Sequence, residues 1–315
     1  MPWFIGIDEA GYGPNLGPLV QTAVGFQLDC DPEKLDLWKR LCKCVRRFDQ
    51  DGDRILIDDS KKVYSSQQGL EDLELGVLAT LFPALGPLSQ LLESLASTSL
   101  PHIANELGYS STEPLPVTVE ASAVADGAGR FRSTCELAGI KNLWVRTRIT
   151  PPARFNDLLE KYHSKAGVLA DGVCELIQLG REPDNGLEPV HFLIDRQGGR
   201  WYHSAMLNNA CPDGWIDVIS ENCNCSRYHM NGPRPLYWTF QVEGDSLYLP
   251  VALASMTSKY LREIFMRQFN RFWLEKLPNL KPTAGYPGDA ARFYKFIKPV
   301  MAELGIEERR VWRRR

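Results

Sequence analysis

One stretch near the start of the chain decides the fold: Trp3-Phe4-Ile5-Gly6-Ile7-Asp8-Glu9-Ala10-Gly11-Tyr12-Gly13-Pro14. An apolar run that closes on two acids, and then on glycines and prolines, is typical of a strand that meets a tight loop. Residues 19–28 are rich in Val and Thr and alternate in character, which predicts a second strand that pairs back on the first. We therefore expect the first strand to deliver Asp8 and Glu9 at its end.

Strand and helix patterns alternate along the rest of the chain. Strand patterns cover 54–58, 143–149, 189–194, 215–219 and 236–242, and helical periodicity covers about 67–81, 155–179 and 289–304. The strongest helical pattern follows Pro250 and combines an apolar face with a charged face, which predicts one face in the core and one in solvent. The fold class predicted is α/β, with a mixed central sheet flanked by helices.

The composition is that of an ordinary globular protein. Of 315 residues, 44% are apolar and 24% are charged, and the formal net charge is -3. Without a global positive field, any nucleic-acid binding needs a local basic patch. The N-terminus lacks a basic n-region, and no apolar run approaches the ~20 residues that cross a bilayer. We expect a cytoplasmic protein that has no membrane partner and is a monomer.

The eight cysteines are too dilute for a disulfide scaffold, so reduced thiols are expected. Cys211, Cys223, Cys225 and His229 offer possible zinc ligands. However, the single residue between Cys223 and Cys225 rarely lets both sulfurs reach one tetrahedral centre. We interpret these cysteines as small buried or half-buried thiols.

Three strand patterns end in carboxylates, at Asp8-Glu9, at Asp195 and at Glu243-Gly244-Asp245. Ligands of open α/β sheets bind outside strand ends, so these acids can converge although they are distant in sequence. Convergent carboxylates repel each other unless a cation lies between them. Two Mg²⁺ ions about 3.5–4 Å apart can clamp the attacking and leaving oxygens of phosphoryl transfer. The pattern therefore indicates nuclease chemistry.

Acids at strand ends are also common turn formers and helix caps, which is how we interpret Asp58, Asp59 and Asp171. The acids at 8, 9, 195 and 245 differ because each lies at or just beyond an apolar strand. Burial there makes a charge costly unless a metal compensates it.

The glycine loop, residues 11–17, superficially matches a dinucleotide fingerprint. That fingerprint requires a helix to start inside the loop and to point its N-terminus at the pyrophosphate. Pro14 and Pro18 interrupt the loop and a strand pattern follows, so the context excludes a dinucleotide site. The glycines still free backbone amides for the close approach of a sugar or phosphate.

Six blocks in order resemble the type 2 ribonucleases H, that is, ribonuclease HII and its relatives. The blocks are Gly6 to Pro14, Asp59-Ser60-Lys61-Lys62, Ile194-Asp195, Glu243-Gly244-Asp245, Ala254-Ser255-Met256-Thr257-Ser258-Lys259 and Gly285-Tyr286-Pro287. The ordered set is much more specific than any single block. The resemblance is weak near 27–54, 82–142 and 198–235, where we expect insertions.

The resemblance implies a ribonuclease H-like fold that cuts the RNA strand of RNA/DNA hybrids, or a ribonucleotide embedded in duplex DNA, with Mg²⁺ or Mn²⁺. It implies that the catalytic and metal-binding residues are Asp8, Glu9, Asp195 and Asp245. It implies that the nucleic-acid contacts are Gly11, Tyr12, Gly13, Lys61, Lys62 and Tyr286. From the residues alone, the lysines could equally be solvated surface charges and Tyr286 a core aromatic.

One departure from the family pattern concerns the glycine loop. The family usually has Gly-Arg-Gly there, and this chain has Tyr12 in place of the arginine. Tyrosine offers a stacking face and a hydroxyl but no charge, which affects the grip on nucleic acid and leaves the metal site intact. Arg196, directly after the third acid, is a candidate to restore positive charge near the site.

We expect one catalytic domain with insertions over 1–287, followed by a C-terminal helix and basic tail over 288–315. The tail carries five arginines between residues 309 and 315, which favours either an arm that follows a nucleic-acid backbone or a solvated terminus. Two alternative functions stay open. One is a protein of the same fold that binds nucleic acid without cutting it, and the other is an actin-like or sugar-kinase-type ATPase, for which a second phosphate loop near mid-chain is missing.

Overall fold

The computed structural model describes residues 1–31, 34–65, 67–82, 85–196 and 199–314. The strands are β1 (Trp3–Ala10), β2 (Leu19–Leu28), β3 (Val45–Arg46), β4 (Ile55–Leu56), β5 (Ile140–Thr150), β6 (Val190–Asp195), β7 (Asp217–Glu221), β8 (Cys225–Met230) and β9 (Leu236–Gln241). In the described residues, seven of them form one sheet in the order β5-β2-β1-β6-β9-β8-β7, and β3 and β4 form a small separate sheet. Strands β1, β6 and β9 run parallel, and their other partners in the large sheet are antiparallel.

Helices cover both faces of this mixed sheet, which confirms the predicted fold class. The helices are α1 (Leu37–Arg40), α2 (Ser60–Val63), α3 (Glu71–Leu81), α4 (Leu88–Leu95), α5 (Leu100–Ile103), α6 (Ala121–Leu137), α7 (Pro152–Tyr162), α8 (Lys165–Gly180), α9 (Ser204–Ala210), α10 (Gly244–Leu247), α11 (Leu249–Lys276) and α12 (Pro287–Glu303). Alternate residues of β1 point to opposite faces, so Phe4 packs in the core that contains α11, whereas Ile5 and Ile7 pack with α8. Among the described residues, no helix is long and apolar enough to span a membrane.

Helix α11 is more deeply buried than its amphipathic pattern predicts. Residues 249–258 are buried on all sides, and Lys259 and Glu263 of the supposedly solvated face are only 17% and 13% exposed. The solvent face is confirmed only further on, at Arg267 and Arg271. The expectation of a solvated face was wrong for Lys259 and Glu263, because the helix lies between the sheet and α3 and so has protein on both sides.

Other differences from the predicted elements have local causes. The helix predicted over 155–179 is broken into α7 and α8, because His163 has a left-handed backbone (φ 53°) and Ser164 caps α8. The strand predicted at 54–58 is β4, which belongs to the small sheet. The region 198–235, where the resemblance is weak, supplies α9, β7 and β8, and it extends the large sheet by two strands.

Up to Arg314, where the described chain ends, the C-terminal tail is neither a free arm nor a solvated terminus. Val311 and Arg313 are fully buried, and Leu16 of the glycine loop forms an antiparallel bridge with Trp312. The tail packs here because its apolar residues join the core between α11 and α12. We call residues 308–314 the C-terminal segment.

Glu74 of α3 holds part of the 82–142 region to the core. Its buried carboxylate accepts hydrogen bonds from the amides of residues 117–119, at 2.7–3.1 Å, and from the Tyr260 hydroxyl at 2.8 Å. Glu74→Ala removes the acceptor of all these hydrogen bonds and leaves the buried Tyr260 hydroxyl without a partner, so we expect it to cost about 3–5 kcal/mol of unfolding free energy. Urea unfolding checks this, with the exposed Glu71→Ala as control. A loss below about 1 kcal/mol contradicts the role.

Candidate active site

The register of the parallel strands brings Asp8 and Asp195 side by side. Strands β1 and β6 pair as far as Ile7 and Ile194, so the two aspartates come next in register and lie on the same face of the sheet. Both stand at the carboxyl end of a parallel strand, the edge at which open α/β sheets bind ligands. Asp8 is only 8% exposed.

A hydrogen bond links the segment that carries Asp245 to Asp195. The Gly244 amide donates to Asp195 Oδ1 at 2.8 Å, and the buried Asp245 follows directly in the chain. The preceding residue, Glu243, has a left-handed backbone (φ 54°, ψ 41°), which is rare for a residue with a side chain. Such strain persists where surrounding contacts impose the turn, and here the turn brings Asp245 to the strand ends.

Helix α11 supports Asp8 through small hydroxyl residues. The Ser258 hydroxyl donates to the Asp8 carbonyl at 3.2 Å, and the Ser255 hydroxyl donates to the Asp8 carboxylate. Ser60 of α2 contacts Ser255 with 3.0 Å between the hydroxyl oxygens. The block at 254–259 therefore has a physical reason, because small residues let α11 approach the strand end closely and supply hydrogen bonds there.

The four predicted acids lie close enough to raise each other's pKa. Burial, and then the charge of Asp195, raise the pKa of Glu9 to about 7, although Lys61 opposes the rise. Burial raises the pKa of Asp8, with Glu9 and Asp195 adding to the effect. The pKa of Asp195 is also raised by burial. The strand ends therefore hold negative charge that the neighbouring protein groups do not balance.

Asp59 is a fifth acid at this site, which the sequence reading missed. It caps α2 as expected, since its side chain accepts from the Lys61 amide at 2.9 Å. Burial raises the pKa of Asp245 to about 7, and Asp59 lies close enough to add to that rise, together with Asp195. The sequence did contain a signal for this position at the site, because Asp59 belongs to the same block as Lys61 and directly follows a predicted strand.

The donor set suits a hard divalent cation. All of these acids offer oxygen ligands, and Lys61 compensates only part of their charge. Across the part of the chain that the structure describes, no group of three or more His, Cys, Asp or Glu side chains has the spacing to hold a metal directly.

The same finding covers the possible zinc ligands, so zinc gains no support there. These residues are Cys211, Cys223, Cys225 and His229. The cysteines are free thiols, and Cys211 and Cys225 are buried and half-buried as predicted, but the prediction was wrong for Cys223, which is exposed.

The structure separates the two lysines of the α2 loop. Partial burial alone lowers the pKa of Lys61, but the acids Asp59, Asp245, Asp8 and Asp195 outweigh it and raise the pKa overall. Lys61 therefore lies beside the acidic cluster. Lys62 instead pairs with Asp58, with its Nζ 3.2 Å from Oδ1.

We expect the two lysines to differ in their effect on nucleic-acid binding. Lys61→Ala should weaken binding of a ribonucleotide-containing duplex about 5–10-fold. It should also reduce the slope of log affinity against log salt concentration by about the amount expected for one phosphate contact. Lys62→Ala should stay within about twofold, because Lys62 already has a carboxylate partner. Fluorescence anisotropy at two salt concentrations measures both variants. Equal losses would contradict the distinction.

The glycine loop leaves an open surface beside the acids. Gly11 has φ 91°, and a Cβ atom there would lie 2.6 Å from the Pro18 carbonyl oxygen, so only glycine fits. A Cβ on Gly13 would meet no atom within 4 Å, so this part of the loop is open to a ligand. Tyr12 packs partly against the apolar cluster around Phe155.

The Arg196 side chain is directed to the turn between β7 and β8. Its Nη1 donates to the carbonyls of Asn222 and Cys223, in the turn before β8. Another arginine, Arg200, lies close enough to affect the pKa of Tyr12. Burial and Glu9 raise the pKa of the Tyr12 hydroxyl, and the positive charge of Arg200 opposes that rise.

Tyr286 is 51% exposed, so the alternative of a core aromatic is wrong. Its ring lies at the start of α12, with the guanidinium of the buried Arg262 5.9 Å from the ring centroid. An exposed aromatic face next to a cation is suited to stacking on a sugar or base.

No protein-family model matches the sequence, and no curated protein matches it. Among solved structures, the chain is similar to the RNase HII of a PCNA:RNase HII complex from Archaeoglobus fulgidus (16% identity, 99% of this chain and 94% of that chain, TM-score 0.43). It is also similar to ribonuclease H2 from Pyrococcus horikoshii OT3 (13%, 98% and 92%, TM-score 0.41) and to Bst-RNase HIII in complex with Mn²⁺ (13%, 99% and 66%, TM-score 0.44). At these identities the likeness concerns the fold alone.

Proposed function

We propose that the protein is a metal-dependent endoribonuclease of the ribonuclease H type. Its substrate is the RNA strand of an RNA/DNA hybrid, or a ribonucleotide embedded in duplex DNA. The observation that carries the proposal is that Asp8, which is buried, and Asp195 directly follow the last residues paired between the neighbouring strands β1 and β6, with Asp245 next to Gly244, whose amide donates to Asp195. Buried acids in such a cluster favour a bound cation, because desolvation and like charge otherwise make them costly.

The carboxylates of Asp8, Glu9, Asp195 and Asp245 would hold the ions. Mg²⁺ or Mn²⁺ bound there supplies an activated water and stabilises the 3′-oxygen leaving group. The hydrogen bonds from Ser255 and from the Gly244 amide orient the Asp8 and Asp195 carboxylates. Since acid ligands must lose their protons to bind a metal, metal binding and proton release are coupled at this site.

The surroundings of the acids fit a nucleic-acid backbone. The glycine loop is open at Gly13, Lys61 adds a positive charge beside the acids, and Tyr286 adds an exposed ring. These groups provide the local patch that a chain of net charge -3 needs in order to bind a polyanion. We assign Tyr12 a packing and stacking role in this patch.

The proposal is tested with labelled duplexes that contain one ribonucleotide, four ribonucleotides or none. We expect the wild-type protein to cut the first two in Mg²⁺ or Mn²⁺, to leave 3′-hydroxyl and 5′-phosphate ends, and to stop in EDTA. The ratio between the two ribonucleotide substrates identifies the preferred one. Binding without cleavage in both metals, or equal cutting of the all-DNA duplex, contradicts the proposal.

A further inference from the structure

The C-terminal segment and the glycine loop are joined by hydrogen bonds in both directions. The Arg313 amide donates to the Asn15 carbonyl at 2.8 Å, and Asn15 Nδ2 donates to the Arg313 carbonyl at 3.0 Å. Asn156 of α7 fixes the segment from its other side, because Nδ2 donates to the Trp312 carbonyl at 2.9 Å. The C-terminal segment is therefore hydrogen-bonded directly to the glycine loop and supports its conformation.

The buried Arg313 side chain forms hydrogen bonds with the first half of the glycine loop. Its Nη2 donates to the Gly11 carbonyl at 2.6 Å and also to the Pro14 carbonyl. The guanidinium carbon lies 4.7 Å from the centroid of the Phe155 ring, and the side chain is fully buried. One cation thus connects the two ends of the turn that carries Tyr12 and Gly13.

The charge of Arg313 has no acidic partner among the described residues, where its contacts are carbonyl oxygens and the ring. Its Nε and Nη1 are buried without a hydrogen-bond acceptor. Burial and the neighbouring Arg262 lower its pKa to about 9, so it is still protonated at neutral pH. Burying an unpaired cation is costly, and each unsatisfied donor in a native structure calls for an explanation.

The position of the charge offers that explanation. The loop directly follows Asp8 and Glu9, and its open side at Gly13 faces away from neighbouring atoms. The loop itself carries no cation, because its central residue is Tyr12. A buried charge acts in a low-dielectric surrounding, so its field at the loop is screened less than that of a surface lysine.

We propose that Arg313 is a positioning residue for nucleic-acid binding, which fixes the glycine loop and supplies the positive field that the loop lacks. The loop amides then face the sugar-phosphate backbone of the substrate, and Arg313 is the residue of the C-terminal segment whose side chain holds the loop in that position. This inference rests on the proposed function, since it needs a polyanionic substrate at the loop.

The test compares Arg313→Met with Arg313→Lys in the full chain. On a duplex with one ribonucleotide in Mn²⁺, Arg313→Met should raise KM about tenfold, as expected for the loss of a charged hydrogen bond, and change kcat less than about twofold. Arg313→Lys keeps the charge and should raise KM by only about threefold. The exposed Arg314→Ala, whose side chain pairs with Glu160 at 3.0 Å, should stay within about twofold.

A folded Arg313→Met that keeps the wild-type KM overturns the inference. So does a parallel loss in KM, kcat and Mn²⁺ affinity, which would show a merely structural role. If Arg313→Met does not fold, the KM of Arg313→Lys is used instead. A raised KM at unchanged kcat supports the inference, and an unchanged KM at unchanged kcat overturns it. A wild-type protein that neither binds nor cuts the duplex refutes the proposed function, and this inference with it.

Discussion

Asp8→Asn and Asp245→Asn are each expected to slow cleavage by at least about 1,000-fold, because each removes a charged ligand from the proposed metal site. Asparagine keeps the shape and one acceptor oxygen, so Asp8→Asn can still accept from Ser255 and from the Glu9 amide. Single-turnover cleavage of a duplex with one ribonucleotide, in Mg²⁺ and Mn²⁺, measures the loss. Variants that cut as fast as the parent contradict the assignment.

The same substitutions should stabilise the metal-free fold. The pKa of Asp245 is raised to about 7, so the folded state binds more protons than the unfolded state between about pH 4 and pH 7. The parent therefore loses stability as the pH rises through that window, and Asp245→Asn does not share this loss. In EDTA, its melting temperature should exceed that of the parent by roughly 2–5 °C at pH 8, and the difference should vanish near pH 4.

The control for both effects is Glu243→Gln. Glu243 is exposed and neighbours Gly244, but it is absent from the charges that shift the pKa values of Asp8 and Asp195. We expect near-parental cleavage and an unchanged dependence of stability on pH. A destabilised Asp245→Asn at pH 8 would show that this carboxylate contributes favourable contacts that outweigh repulsion.

Gly6→Ala is expected to destabilise the protein by about 3 kcal/mol or more. A Cβ atom at Gly6 would lie 2.5 Å from the carbonyl oxygen of Pro250 and closer still to the carbonyl carbon. These are backbone atoms of α11, so the clash cannot be relieved by rotating a side chain. The helix must shift away from β1, and Ser255 and Ser258 then lose their contacts with Asp8.

The matched control is Gly25→Ala on the adjacent strand β2. There the atoms nearest to a Cβ belong to the side chains of Ile5 and Trp3, at 3.2 Å, which can adjust by a few tenths of an ångström. We expect a cost of about 1 kcal/mol for this control. Urea unfolding of the two variants distinguishes them, and equal costs would show that α11 does not pack against Gly6 as tightly as described.

The sheet and the strand-end acids are the parts that the sequence alone predicts well. Asp8 and Asp195 each follow an apolar strand pattern. Because the two strands pair in parallel, their carboxyl ends, and with them the two aspartates, lie at one edge of the sheet. The roles of these residues remain predictions. Strand β8 was missed because its sequence, Cys225 to Met230, mixes polar and apolar residues without a clear alternation.

What the sequence could not predict depends on contacts between distant segments. Arg313 looks like part of a solvated basic tail until the fold places it under Gly11. Asp59 looks like a simple helix cap, since its second partner, Asp245, is remote in the chain. The break between α7 and α8 uses a left-handed His163, where glycine would have been the usual signal.

The most direct test of the central claim is anomalous diffraction from crystals of the wild-type protein soaked in Mn²⁺. The account predicts Mn²⁺ between the carboxylates of Asp8 and Asp195, at about 2.0–2.2 Å from their oxygens, with Asp245 beside it. Crystals of Asp195→Asn should lose that peak. Mn²⁺ bound elsewhere with no peak between Asp8 and Asp195, or an unchanged peak in the variant, would contradict the account.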